Sequence, residues 1–571
     1  MSLTSSGWQV SGGLSLPPGL LRHVKGWVWF TLLINALPLF TPILNEGDSV
    51  LYAALSQHMV STGNWNDLML EGRDWLDKPH FPFWLGALSF SWLGVSVFAY
   101  MLPGFLCHLL GAFYTYRLSR QWLDRDAAWM SVLVYASVYH LMYTTTALKA
   151  EAFLTGSIMG AVYHWWRFDA KNRVKHLCLG AVFTGMAVMT KGVFTLVTIG
   201  SGLVGVWLYQ RRWREWLRPK WWLALGLSAV CVLPELIALY RQFDMHPEKL
   251  VLGRTGVSGI LFFLWDSQFG RFFSTGPIVR TDAGKLYFFH VFLWAFMPWV
   301  AAFGASLWQR WRSWRQASEV DRTQTVHLLA SFGVSFAMFS LASFQLDYYT
   351  VIVYPFAAIL CAPWLKQVAV NTHHRLGQSL QLAMAAFTAL LATWVVVKVG
   401  DVGLYGFSAV VLAFTLGWVW HQRHLAKVAW VLSLPVISVL FFFIVIEIIT
   451  LMGQMRISLT YNALPWLNTE PNWPVVSYQL DPPVSYEWSL LRQSAPSLRI
   501  STVQELPKGK DYFLVIKTEA LPQFETLKPH LQHVITAPWV DHKTGDLPRL
   551  IRMASGTEPL ESFSVYRVHR P

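Results

Sequence analysis

The sequence predicts a polytopic α-helical membrane protein that ends in a soluble α/β domain. Three observations carry this expectation. Over 571 residues, 54% are hydrophobic and only 13% charged, against roughly 25% charged in a soluble domain. The mean hydropathy is +0.38. The apolar residues also fall in blocks long enough to cross a bilayer, which takes about 20 residues per helix. An ordinary soluble enzyme and a disordered chain are both excluded.

In chain order, spans are expected near 27–44, 102–118, 127–145, 150–166, 176–190, 191–209, 221–240, 285–307, 326–343, 348–365, 379–398, 403–420 and 427–450. That makes about 13 transmembrane helices. Lys191 and Gly192 interrupt one long apolar run, and the apolar stretch 81–101 is a further candidate to add or replace a span. The first apolar stretch, after Lys25, is too long for a cleaved signal and lacks a small-residue cleavage site, so it reads as an uncleaved span.

Charge placement orients these spans. From Met455 onward, 12 Lys and Arg stand against 11 Asp and Glu, whereas the first 454 residues hold 33 against 21. The basic excess behind the net charge of +13 therefore sits in the membrane part. It reads as a topology signal, because cytoplasmic loops retain Lys and Arg; nucleic acid is not an expected partner. With the N-terminus in the cytoplasm, every short basic loop falls on that side: Arg117–Arg125, Arg167–Lys175, Arg211–Lys220, Arg310–Arg322, Lys366–Arg375 and Arg423–Lys427. The opposite side receives two long loops, 45–101 and 241–284, short turns near Lys149, Lys191 and Gln345, and everything after Leu451.

Two domains follow: 1–454 in the membrane with its outer loops, and 455–571 as an outer α/β domain. In the first loop, DSVLYAALSQHMV repeats its apolar residues at a helical period and reads as a helix lying in the interface. In the tail, VVSYQL (475–480), DYFLVIK (511–517) and SFSVYRV (562–568) read as strands. The four cysteines, Cys107, Cys178, Cys231 and Cys361, lie in or beside apolar blocks without CxxC spacing, and no disulfide or cysteine metal site is expected.

Ionisable residues near membrane depth are expensive and mark sites or ion pairs. Here Asp48, Asp77, Lys78, Lys149, Glu151, Lys191, Arg271 and Asp347 all fall on the outer side. Each alone reads as a solvated loop charge or a snorkelling anchor. Their recurrence in successive outer turns points to one shared site. Most of the 31 Trp serve as interface anchors, and His58, His80, His246 and His290 read as structural.

DSVLYAALSQHMVSTGNW followed by DKPHFPFWLGALSFSWLGVSVFAYMLP resembles the opening loop of the aminoarabinose-transferase and protein O-mannosyltransferase-like family. KAEAFL (149–154), MTKG (189–192), DSQFGRF (266–272) and LDYYTVIVYPFAAIL (346–360) continue the resemblance. It runs from about residue 27 to 365, then more loosely. These are polyprenyl-phosphate-sugar-dependent glycosyltransferases with the GT-C fold. The resemblance implies Asp48 as the leading catalytic residue and Glu151, where the family has aspartate, as a second carboxylate. An ion pair to Lys149 or Lys191 is the alternative reading of Glu151. Lys78, Arg271, Tyr349 and Lys191 would bind the donor phosphate. Tyr52, Lys149 and Asp347 would line the substrate.

There are departures. Ser49, Leu51 and Met101 replace an acidic residue and two arginines common in the family. The aminoarabinose branch can bind a metal through a His and an acidic residue, but Gln268 and Asp77 stand there, so a divalent metal stays an open option. No nucleotide-binding loop is found, as suits a donor that arrives in the membrane. The implied function is an inverting transferase in a bacterial inner membrane. It moves a sugar from polyprenyl (undecaprenyl) phosphate to lipid A or another envelope acceptor on the periplasmic face, and the chain is expected to be a monomer. A protein O-glycosyltransferase and a flippase for lipid-linked sugars are the alternatives.

Overall fold

The computed structural model describes residues 18–42, 44, 47–70, 72–146, 148–278, 284–371, 374–421, 428–457, 459–480, 497–539, 547–559 and 561–569. Arg423 and Lys427 of the expected basic loops lie outside them.

Helix α1 (Pro18–Ile34) leads into the first outer loop. The loop contains α2 (Gly47–Thr62), a two-stranded ribbon of β1 (Met69–Leu70) and β2 (Arg73–Asp74), and α3 (Phe81–Leu93). Then follow α4 (Val97–Trp122), α5 (Arg125–Ser137), α6 (Tyr139–Tyr143), α7 (Ala150–Lys171), α8 (Val174–Lys191), α9 (Thr195–Tyr209) and α10 (Pro219–Leu239). The second outer loop carries a short α11 (Gly259–Leu261) and a π-helical run, Phe262–Gly270. The remaining helices are α12 (Tyr287–Ala295), α13 (Val300–Ser313), α14 (Glu319–Leu341), α15 (Tyr354–Val370), α16 (Arg375–Val399), α17 (Val402–His421), α18 (Val428–Ile457) and α19 (Leu459–Leu467).

Among the described residues, six helices are long and apolar enough to cross a membrane. The pair α12 and α13 makes a seventh if it counts as one broken span. Most expected spans fall on helices, but several are interrupted, and the first is displaced: α1 ends at Ile34, short of the expected end near residue 44. The one expected at 285–307 bends by 110° between α12 and α13, where Pro298 stands. The one at 127–145 divides at Val138 into α5 and α6. The stretch 81–101 adds no span: α3 has 13 residues, a length of about 20 Å against a hydrocarbon core of about 30 Å.

The interfacial reading of α2 is corrected. Ser49, Val50, Tyr52–Gln57 and Met59 are all buried, so the helix has no broad exposed face. Its apolar spacing marks packing inside the loop, against Phe83, Phe90 and Tyr100, rather than against lipid.

Helices meet closely where a glycine removes a side chain, as membrane packing favours. A Cβ at Gly156 of α7 would sit 2.3 Å from the Cys107 carbonyl oxygen of α4, and one at Gly185 of α8 would sit 2.5 Å from Cys231 Cβ of α10. The basic turns gather at one end. Arg212 pairs with Asp169 (2.8 Å) and Glu215 (2.9 Å), and Lys366 pairs with Asp124 (2.7 Å).

The C-terminal part forms a five-stranded sheet in the order β4 (Ser497–Ile500), β3 (Val475–Tyr478), β5 (Tyr512–Lys517), β7 (Glu561–Val568), β6 (Leu531–Trp539). β3 runs parallel to β4 and β5, and β7 antiparallel to β5 and β6. The three expected strands are β3, β5 and β7; β4 and β6 are additional. α20 (Leu547–Ser555) joins the membrane core through Ile551 and Ala554.

A candidate active site between the outer loops

Asp77 and Lys78 lie in the turn leading to α3, and Arg271 follows the π-helical run. Although 194 residues apart, Asp77 and Arg271 are ion-paired, and Lys78 Nζ lies 2.8 Å from the other Asp77 oxygen. One carboxylate thus holds two cations. Burial alone would raise its pKa, but Lys78 and Arg271 outweigh burial and hold Asp77 well below the usual carboxylate range. Burial pulls the Lys78 ammonium below its ordinary value, against the opposing fields of Asp77 and Asp48. For Arg271, Asp77 outweighs burial and raises the guanidinium. The Arg271 Nε–H is buried and, among the described residues, donates to no protein acceptor.

Asp48 opens α2 and is exposed. Its charge reaches Lys78, Tyr52 and Tyr100. Tyr52, one helical turn on and 4% exposed, feels Asp48, Asp77, Tyr100 and Arg271 together. Burial and the two carboxylates push its phenol well above the ordinary value, so it stays a neutral hydroxyl. Lys78 and Arg271, from distant parts of the chain, thus meet on Asp77, while Asp48 acts on Lys78 and Tyr52 through its charge and is not among the residues that line the cavity described below.

The second carboxylate is placed differently. Glu151, in the first turn of α7, is 1% exposed and paired with Lys191, the last residue of α8. The ion pair foreseen as its alternative role is present. Lys191 Nζ also stands 3.8 Å from the centre of the Tyr349 ring, and Lys149 Nζ 4.0 Å from that of Tyr348, both within cation–π range. Lys78, Arg271 and Lys149 all feel the Lys191 charge. Asp347 caps its own neighbour, with Tyr348 N donating to Asp347 Oδ1 at 3.0 Å.

Beside Asp77, Lys78, Lys191 and Arg271 lies a cavity. Asp77, Lys78, Lys191, Arg271 and Tyr349 line it together with the apolar Leu154, Phe194, Met338, Phe339, Phe344 and Ile352, and the Arg271 guanidinium lies 5.3 Å from the centre of the Phe344 ring. A lining that sets charged beside apolar side chains suits an amphiphile with an anionic head.

The two outer loops are bound to each other. Gln242 Nε2 donates to Leu68 O (2.9 Å) and Asp74 Oδ1 (3.0 Å), its Oε1 accepts from Leu68 N (2.9 Å), and Lys249 Nζ donates to Asp74 (3.0 Å). Sequence reasoning missed Gln242, Lys249 and Tyr348. Only the doubled tyrosine after Asp347 gave a signal.

The metal option meets an unfavourable donor set. Asp77 already serves two cations, which a divalent ion would have to displace. The Gln268 amide donates to Lys191 O at 2.9 Å and so ties down the turn at Gly192, where a Cβ would lie 2.2 Å from it. Among the described residues, no three His, Cys, Asp or Glu side chains converge as ligands. These residues do not fit a metal centre.

Residues 77–237 match the dolichyl-phosphate-mannose-protein mannosyltransferase family. An undecaprenyl phosphate-alpha-4-amino-4-deoxy-L-arabinose arabinosyl transferase of Proteus mirabilis is 25% identical over 403 residues, 68% of this chain and 69% of its own length. A Pseudomonas aeruginosa protein of the same description is 26% identical over 366 residues, 62% of this chain and 60% of its own. The fold is similar to ArnT from Cupriavidus metallidurans, solved with undecaprenyl phosphate, with a TM-score of 0.71 at 17% identity over 95% of this chain and 97% of that one. The same protein without ligand gives 0.68 at 16% identity over 96% and 98%.

Proposed function

We propose that this chain, a relative of the polyprenyl-phosphate-sugar-dependent GT-C glycosyltransferases, moves a sugar from undecaprenyl phosphate to lipid A or another envelope acceptor on the periplasmic face of a bacterial inner membrane. One observation carries the reading. The Arg271 guanidinium, held by Asp77 through one arm, keeps a second, buried N–H without a protein acceptor among the described residues, beside Lys78 in a cavity that apolar side chains also line. That is a seat for a phosphate with a hydrocarbon tail.

The chemistry follows from charge. The acceptor oxygen attacks the anomeric carbon as the bond from that carbon to the phosphate oxygen breaks. Positive charge grows on the sugar and negative charge on the departing lipid phosphate. Lys78, Arg271 and the Tyr349 hydroxyl face the departing charge, and each well-placed donor is worth about 3–4 kcal/mol. Lys191, fixed by Glu151, adds to the field. A single displacement inverts the anomeric centre. With a hydroxyl acceptor, Asp48 takes the proton, a contribution of about 10²–10⁴-fold. With a phosphate acceptor, already ionised, Asp48 orients it or steadies the sugar. Tyr52, Lys149 and Asp347 line the substrate. Glu151 acts by holding Lys191. No step requires a metal.

In this reading some thirteen helices cross the membrane, with the N-terminus cytoplasmic. Residues 455–571 form a periplasmic domain, and the chain works as a monomer. Mass spectrometry of lipid A and envelope glycoproteins, from cells with the gene, without it, and with Asp48→Asn, tests the function. The expected outcome is a sugar adduct lost on deletion and in an Asp48→Asn protein that is made and inserted. An adduct on glycoproteins would move the acceptor to protein. An unaltered adduct with Asp48→Asn would remove Asp48 from the mechanism. Lipid-linked sugar carried between leaflets without being consumed would favour the flippase.

A further inference from the structure

Glu235 lies inside α10, one residue after Pro234, and is wholly buried. A carboxylate at that depth is costly without partners. Both of its oxygens are used on one residue. Oε2 accepts the backbone N–H of His80 at 2.9 Å, and Oε1 lies 3.0 Å from His80 Nδ1. The other ring nitrogen, Nε2, lies 3.0 Å from the carbonyl oxygen of Asn66.

The proton count is constrained. A carbonyl only accepts, so Nε2 carries a proton. One more proton lies between Nδ1 and Oε1, and on either atom the pair is neutral overall. His80 is itself fully buried, with the Trp84 ring 5.2 Å away. Its backbone and its ring are thus fixed by one side chain of α10, while its far edge ties down the loop at Asn66.

His80 stands two residues after Lys78, with Pro79 between them. Pro79 has a locked φ and restricts the residue before it, so little slack separates the gripped His80 from Lys78. We infer that Glu235 is a positioning residue for Lys78: by gripping His80 it sets where the Lys78 ammonium meets the donor phosphate. The inference rests on the reading of Lys78 as a phosphate ligand. A shift of about 1 Å in a positioned group can cost as much as 100-fold.

The test is a double-mutant cycle on the full-length protein in nanodiscs, read as the Kd for undecaprenyl phosphate. Lys78→Met is expected to weaken binding about tenfold and Glu235→Ala about three- to tenfold, with the double variant no weaker than Lys78→Met alone. Glu235→Gln can accept from the His80 backbone N–H and donate to Nδ1 of a neutral ring. It is therefore expected to bind within about twofold of the parent. Should Glu235→Ala not yield folded protein, Glu235→Asp, one methylene too short to keep both contacts, takes its place in the cycle.

Losses that multiply in the double variant would mean a general disturbance of the fold and overturn the inference. So would parental binding by Glu235→Ala, or Glu235→Gln as weak as Glu235→Ala. If Lys78→Met itself binds like the parent, the phosphate reading of Lys78 fails and takes the inference with it. Multiplied losses beside a weakened Lys78→Met leave that reading intact.

Discussion

Asp77 carries the electrostatics of the site, because one half-buried carboxylate holds both Lys78 and Arg271. Its folded-state pKa lies well below the usual carboxylate range. The sign follows: the stability it adds is complete above the unfolded value and is lost as pH falls through the depressed folded value. The difference in thermal stability between the parent and Asp77→Asn should therefore be constant from pH 5 to pH 8. A difference that shrinks between pH 7 and pH 5 would mean that Asp77 takes up a proton there and is not held by its two cations. At this scale the sequence was informative wherever a charge stood beside a turn. Asp48, Lys78, Glu151, Lys191 and Arg271 were all named from their outer position and family resemblance. Spacing along a chain does not show which charges cancel, so the ion pair between Glu151 and Lys191 could be raised but not decided. Glu235 was overlooked, although a lone carboxylate within an apolar helix was itself a signal.

At the scale of elements, close approach of helices depends on glycine. Gly156 brings α7 against the backbone of α4, and backbone cannot yield as a flexible side chain can. Gly156→Ala should therefore destabilise the protein by about 1–3 kcal/mol, read as a lower melting temperature in detergent; an unchanged value would contradict the packing. Hydropathy located the helices because lipid-facing and buried residues are both apolar. The same ambiguity hid the breaks at Val138 and Pro298, and it made α2 look interfacial when its apolar residues face the loop core. In the tail, β3, β5 and β7 announced themselves by concentrated β-branched and aromatic residues. β4, with SLRI, is half polar, and β6, with LQHVITAPW, contains a proline; both are set by pairing with neighbours.

For the whole molecule, charge is divided between two ends. Arg212 pairs with Asp169 and Glu215, and Lys366 with Asp124, in the basic turns, while Lys78, Lys191 and Arg271 line the cavity. The bias of basic loops that orients the chain thus separates turn charges from site charges. Alkaline phosphatase fused after Pro571 should be active, and fused within the turn following Lys171 inactive; the reverse pattern would invert the topology and put the cavity on the cytoplasmic side.

The central claim is that the cavity recognises a lipid through its phosphate. Its most direct measurement compares the binding of undecaprenyl phosphate and undecaprenol to the purified parent protein and to Arg271→Met. The parent should bind the phosphate at least about tenfold more tightly than the alcohol, and Arg271→Met should lose most of that preference while still binding the alcohol. Equal affinity of the parent for both lipids, or a preference untouched in Arg271→Met, would contradict the account.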